Sequence, residues 1–254
     1  MHTAFYLPDG DAFLATPLTR GPWDVRFQHG GPPSALFARA LAEEGFFLAR
    51  LTVALLRPVP IGRITLEVER AVGRTVRRPT ALMYADGDLV GEASAVLIKR
   101  VPLSVPPVDP GPDWPDPTSL APYAFTFFPH EIAYHRAIDL RLAFGEWGST
   151  PIGFWARLKV PLVEGTPTTA AEQVITLADA QSGMGVPLDP HRFTFVNPDL
   201  TVYFERDPTP GWTGFDIRSV AGPHGSGLAQ SAVRDELGLV ARSAQALVVA
   251  SRGA

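Results

Sequence analysis

The sequence predicts an α+β fold made of two copies of one module. Each copy is a central helix wrapped by a curved antiparallel sheet, and the two sheets join edge to edge. Three observations carry this. First, the letters repeat: Leu51-Thr52-Val53 with Arg57 recurs as Leu200-Thr201-Val202 with Arg206, an offset of 149, and Leu89-Val90 recurs as Leu239-Val240, an offset of 150. Self-similarity over half a chain marks a duplicated structural unit. Second, each half holds one stretch with helical apolar spacing and several with two-residue alternation. Third, a proline-crowded segment at 101–122, VPLSVPPVDPGPDWPDPTSLAP, stands between the halves. It sustains neither a helix nor a central strand. The expected units are therefore 1–100, a linker at 101–122, and 123–254. Two open, curved sheets protect their edges best by pairing with each other.

Composition narrows the function. The chain has 254 residues, 46% hydrophobic and 19% charged, enough for two packed units with a real core. The net charge is −4 and the pI is near 5.9, with no basic run, so no nucleic-acid partner is expected. There is no cysteine, which excludes disulfides, thiolate ligands and a cysteine nucleophile. The six histidines lack metal-ligand spacing, so neither a metal nor another cofactor is expected. No charged n-region with an apolar core begins the chain, so no signal peptide is expected, and no apolar run reaches the ~18 residues of a membrane span. The expected location is the cytoplasm, away from membranes.

Along the first half, AFLAT (12–16) and WDVRFQ (23–28) read as strands. HGGPPSALFARALAEEG (29–45) reads as a helix, with Pro32 and Pro33 in its first turn, Leu36, Phe37, Ala40 and Leu41 as its buried stripe, and Gly45 ending it. Strands follow at 48–59, 61–72, 75–84 and 89–100, the last two joined by the turn residues ADGD at 85–88. Trp114 and apolar anchors make 101–122 an ordered crossing segment. In the second half, strands are expected around FTFF, FGEW and GFWARLKV within 125–160. A helix over 169–184 follows, then strands at 197–206, 213–221, 227–236 and 238–252. Thr169 and Glu172 have the spacing of a capping box.

Asp179 lies within the apolar face of that second helix. A carboxylate there is costly unless paired, neutralised or set at a wet pocket. It either caps a neighbouring group or serves as a catalytic acid–base group on a rigid element.

HGGPPSALFARAL (29–41), LADAQSG with NPDLTVYFER (177–206) and LVARSAQAL (239–247), in this order and duplicated, resemble the acyl-CoA thioesterase II-like branch of the thioesterase superfamily. The layout resembles the double hotdog fold. The resemblance implies hydrolysis of acyl-CoA to a carboxylic acid and CoA, within fatty acid metabolism. It places a water-orienting set on Asp179, Asn197 and Gln245. Asn197 departs from the threonine of the family pattern, which leaves Asp199 as a substitute, although an amide can both donate to and accept from a water. Gln245 corresponds to Ala95 in the first copy, and the first helix holds no Asp, so one working pocket is expected rather than two. Resemblance and helix polarity together place the oxyanion at backbone amides of Gly30 and Gly31, where the first helix begins. Those glycines also fit a plain turn. His29 either lines the pocket, with Gly30 and Gly31 as substrate-binding residues, or caps the turn.

Other candidates carry less. Ser34, Ser182 and Ser243 lack the G-x-S-x-G setting of a nucleophile. Arg57 and Arg206 recur in both copies and so serve the fold. Trp147, Phe154 and Trp155 read as core or as the wall of an acyl tunnel, and His135, His191 and His224 as surface or hydrogen-bonded histidines. Asp179 attacking the thioester directly, to give an anhydride, is a second chemical route. Two other functions stay open: a non-catalytic acyl-CoA-binding protein, and an enoyl-CoA hydratase. The hydratase needs an Asp–His pair, and no histidine follows Asp179 closely. A homo-oligomer would have to form through outer faces or remaining strand edges.

Overall fold

The computed structural model describes residues 2–106, 110–125 and 128–252. The first half contains β1 (Tyr6–Asp9), β2 (Ala12–Ala15), α1 (Gly31–Leu41), β3 (Phe46–Leu55), β4 (Arg63–Glu69), β5 (Val76–Arg77), β6 (Thr80–Ala85) and β7 (Asp88–Lys99). The second contains β8 (Ile138–Phe144), β9 (Ile152–Leu158), α2 (Ala170–Ala178), α3 (Gln181–Gly185), β10 (Phe193–Val196), β11 (Asp199–Phe204), β12 (Thr213–Ala221), β13 (Ser226–Asp235) and β14 (Gly238–Ser251).

All the strands form one antiparallel sheet. Outward from a central seam the order is β3-β7-β6-β4-β2-β1 on one side and β11-β14-β13-β12-β9-β8 on the other. The seam is the pair β3·β11. There Thr52 lies opposite Thr201, its own equivalent in the repeat, with Thr201 Oγ1 3.2 Å from Thr52 Oγ1. A residue meeting its duplicate across a strand pair is what a local two-fold axis requires. The register also equates the next strands: Thr52 faces Ser94 on β7, and Thr201 faces Ala244 on β14. The 149 and 150 offsets are thus structural, and Ala95 and Gln245 occupy equivalent places. The double hotdog expectation holds.

The helices pack inside. Leu36, Phe37 and Leu41 of α1 and Val174, Ile175 and Leu177 of α2 join one core that runs through both halves. Gly31 sets the helix contact, since a Cβ there would lie 2.1 Å from the Thr176 carbonyl oxygen. The capping box at Thr169 and Glu172 forms as read. Glu172 does a second job: its carboxylate receives a bidentate pair from Arg39 of α1, at 2.9 Å through both Nε and the terminal nitrogen. At the β6–β7 turn, Asp86 and Gly87 take φ of 50° and 85°, as the ADGD turn requires.

Several expectations are corrected. Residues 169–184 are two helices broken at Asp179 and Ala180: the Ala180 amide closes back on the Leu177 carbonyl at 3.1 Å, and a new turn starts beyond. WDVRFQ is not a strand. Asp24 turns the chain by accepting the Arg26 amide at 2.9 Å, an Asx turn that outcompetes extension. The first helix ends at Leu41, and Gly45, at φ 78°, serves the turn into β3 instead. FGEW gives only Phe144 to β8, because Gly145 turns at φ 82°. The centre of FTFF lies outside the described residues. The strands β1 and β10 were not legible from alternation. In the proline-rich segment, Trp114 stacks edge-on against Phe144 and Trp155, and Arg234 lies over its ring.

Arg39→Met should leave the Glu172 carboxylate, 6% exposed, without its cation. The expected cost is about 3 kcal/mol, read as a lower urea midpoint at unchanged m-value, with much of the loss recovered in Arg39→Met/Glu172→Gln.

Candidate active site

Asp179 sits where α2 stops, with its side chain 2% exposed. Its carboxylate faces the start of α1. A Cβ on Gly30 would lie 2.8 Å from Oδ1 and 3.0 Å from Oδ2, so only glycine admits the acid so close to this backbone. The positive end of the α1 dipole suits a carboxylate there. Pro32 and Pro33 carry no amide hydrogen. The Gly31 amide points at His29 Nδ1 from 3.3 Å, and Gly31 does not line the cavity at the junction of the halves, which leaves the Gly30 amide as the donor of the helix start toward that cavity.

Two side chains hold the carboxylate. Asn197, in the short link between β10 and β11, donates from Nδ2 to Oδ1 at 2.7 Å. His29 places Nδ1 2.8 Å from Oδ2. The His29 ring lies flat on Tyr134, with centroids 3.9 Å apart and planes within 3°. The Tyr134 hydroxyl donates to the Thr176 carbonyl at 2.9 Å. Burial, then the Asp179 charge, push its phenol well above its ordinary value, so it remains a donor. The loop before His29 is fixed by Gln28, which accepts from the Tyr6 hydroxyl at 2.6 Å and donates to the Pro60 carbonyl at 2.7 Å. The His29 amide bonds the Thr19 carbonyl at 2.7 Å.

A cavity of about 500 Å³ opens beside these groups at the junction of the halves. His29, Gly30, Asp179, Ser182 and Asn197 line it among apolar walls from Trp23, Phe27, Leu55, Phe125, Phe128 and Tyr134.

The structure thus brings Asp179, Asn197, His29 and Gly30 together at one wall. Gln245 is elsewhere. It is 1% exposed, does not line the cavity, accepts from Gln181 Nε2 at 2.9 Å and reaches the Asp179 carbonyl at 3.5 Å. Gln181, Ser231 and Ser243 complete this buried network. Asn197 is also more committed than its residue type implies. Both Nδ2 hydrogens are spent, on Asp179 and on the Asp199 carbonyl at 3.2 Å, so it has no donor left for a water. Asp199 itself accepts the Ala246 amide at 2.7 Å, and it does not line the cavity.

The other candidates fall away from the chemistry. Ser34 donates to the Gly30 carbonyl and Ser243 to Gln181. Arg206 forks onto Asp235 at 2.5 and 2.7 Å, and Arg57 lies 3.6 Å from Asp88 at the cavity rim. Phe154 and Trp155 are core, not cavity wall. Sequence reasoning missed Tyr134 and Gln181 and the pairing of His29 with Asp179. Nothing local signals that pairing, since 150 residues separate the partners. Among the described residues no cluster of three or more His, Asp or Glu side chains is placed to hold a metal, and no helix is long and apolar enough to cross a membrane.

Family models for the acyl-CoA thioesterase N-terminal and C-terminal domains match residues 19–98 and 102–249. The chain belongs to the acyl-CoA thioesterase family. No curated protein sequence matches it. Among solved structures it is similar to a Novosphingobium aromaticivorans DSM 12444 protein provisionally described as a thioesterase, at 23% identity, covering 96% of this chain and 98% of that one, with a TM-score of 0.76. It is similar to a hot dog fold protein of unknown function from Alicyclobacillus acidocaldarius, at 18% identity over 98% and 96% of the two chains, with a TM-score of 0.75. It is also similar to the acyl-CoA thioesterase II TesB2 of Mycobacterium marinum, at 16% identity over 96% and 95%, with a TM-score of 0.70. At these identities the likeness is one of fold.

His135, beside Tyr134, has its pKa lowered from 6.5 to about 4, by burial first and then by Arg136 and Lys159, and its Nδ1 has no partner. Below pH 6.5 the unfolded chain takes up this proton while the native state resists it until about pH 4. Stability should therefore fall as the pH drops through that window. A thermal melt series should show a shallower fall of Tm in His135→Phe.

Proposed function

We propose that this chain hydrolyses acyl-CoA thioesters to a carboxylic acid and CoA, without a cofactor, in the cavity between its halves. The observation that carries the reading is the Asp179 carboxylate, nearly sealed from solvent yet lining an apolar cavity at the start of α1. A thioester carbonyl set over the Gly30 amide would have its developing oxyanion met by a backbone donor at a positive helix end. Water entering from the acid side would lose its proton toward the Asp179 end of the site. Asn197 fixes the carboxylate, and Gln245 acts from behind, through Gln181 and the Asp179 carbonyl. The aromatic walls suit the acyl chain. Family membership and the name of the Mycobacterium marinum structure support the same substrate class.

One observation favours a second reading. The Asp–His pair needed to hydrate an enoyl thioester is present after all, with His29 supplied by the other half of the chain. In that reaction water would add across the double bond, its hydroxyl to the β carbon and a proton to the α carbon.

Free thiol released from a panel of acyl-CoAs tests the proposal. Asp179→Asn should lower the rate by about a hundredfold or more, and Asn197→Ala by roughly ten- to a hundredfold through misplacement of the carboxylate. Unchanged release in Asp179→Asn would refute the role given to the acid. Binding of acyl-CoA with no release would mark a non-catalytic binding protein, and loss of crotonyl-CoA absorbance without thiol would mark the hydratase.

A further inference from the structure

We propose that His29 Nε2 takes the proton of the attacking water and that Asp179 is its positioning partner. This rests on the hydrolytic reading above. The tautomer follows from the partners. A carboxylate only accepts, so the 2.8 Å contact between Asp179 Oδ2 and His29 Nδ1 requires the proton on Nδ1. The neutral ring then carries its lone pair on Nε2. The Gly31 N–H also points at Nδ1, from 3.3 Å, and the shorter contact with the charged carboxylate, at 2.8 Å, sets the tautomer against it. Nε2 has no hydrogen-bond partner among the described residues and is not one of the buried orphan atoms, so it keeps some access, and His29 is one of the residues lining the cavity.

Asp179 is worse placed to act as the base itself. Its side chain is 2% exposed against 10% for His29, its Oδ1 accepts a hydrogen bond from Asn197, and its Oδ2 is covered by His29 Nδ1 at 2.8 Å. The ring is held for the task by the flat stack on Tyr134. A reacting group fixed in one orientation avoids the cost of ordering it during the step.

The step balances as follows. The water oxygen bonds the thioester carbonyl carbon, its proton passes to His29 Nε2, and the carbonyl π electrons move onto oxygen. Collapse of the tetrahedral intermediate breaks the carbon–sulfur bond. The leaving thiolate recovers the proton from Nε2, giving a carboxylic acid and free CoA. In between, the imidazolium is balanced by the Asp179 charge, and Asp179 itself never changes protonation state.

His29→Asn separates the two bases, because the asparagine amide can still donate to Asp179 from near the Nδ1 position while Nε2 is gone. We expect kcat to fall about a hundredfold or more with KM within about threefold, and the ascending limb of the pH profile of kcat/KM to disappear. Activity within about fivefold of wild type, with that limb intact, would overturn the assignment. A second readout does not depend on turnover. Long-range ¹H–¹⁵N correlation near neutral pH should show His29 as the Nδ1–H tautomer, and diethyl pyrocarbonate should acylate it, as mapped by mass spectrometry, more slowly when an acyl-CoA thioether fills the cavity. If wild type releases no thiol from any acyl-CoA, the hydrolytic reading has failed. His29 then stands as the proton acceptor of the site only on that tautomer and that reactivity. A proton on Nε2, or a ring inert to the reagent, overturns it whatever the activity.

Discussion

Much of this structure depends on one close approach of backbone to backbone. The start of α1 runs so near the last turn of α2 that a Cβ on Gly31 would penetrate the Thr176 carbonyl, and one on Gly30 would displace the Asp179 carboxylate. Two consecutive residues without side chains let the helices meet at this distance. The consequences are local and cumulative. The acid lies against the positive end of a helix, the histidine preceding the glycines reaches it at hydrogen-bond distance, and the space left beside them becomes the cavity. The same helix pair is tied farther along by Arg39 and Glu172, so the approach is held at both ends.

Duplication supplies the scaffold, and departure from symmetry supplies the site. Across the seam the copies meet as equals, Thr52 against Thr201. Around the cavity they do not. The second copy contributes the carboxylate, its asparagine clamp and the glutamine behind it, while the first contributes the histidine and the glycine backbone. Ala95, the counterpart of Gln245, has no amide with which to build a matching network.

Much of the fold could be read from the letters because it rests on short-range patterns. The repeat offsets, the capping box at Thr169, the ADGD turn and the alternating strands all depend on residues near one another in the chain. The site was legible in its parts and not in its wiring. Asp179 stood out because a carboxylate in an apolar helical face is expensive, yet the break in that helix was invisible, since its apolar spacing continues past Asp179 into α3. Asn197 looked able to serve water because residue type does not reveal that both its protons are taken. Gln245 looked like a cavity residue because its position on the last strand says nothing of Gln181 standing in front of it. The histidine partner of Asp179 belongs to the opposite module, a contact no local pattern encodes.

The two prolines in the first turn of α1 carry a consequence for ligand choice. A phosphate bound at a helix start is cradled by a run of successive backbone N–H groups. Here that run is cut after Gly31, because Pro32 and Pro33 have no hydrogen to offer. The helix end keeps its positive field but presents at most two amides, enough for a single anionic oxygen and too few to enclose a tetrahedral group. By its geometry this helix start suits one polarised carbonyl oxygen better than a phosphate group.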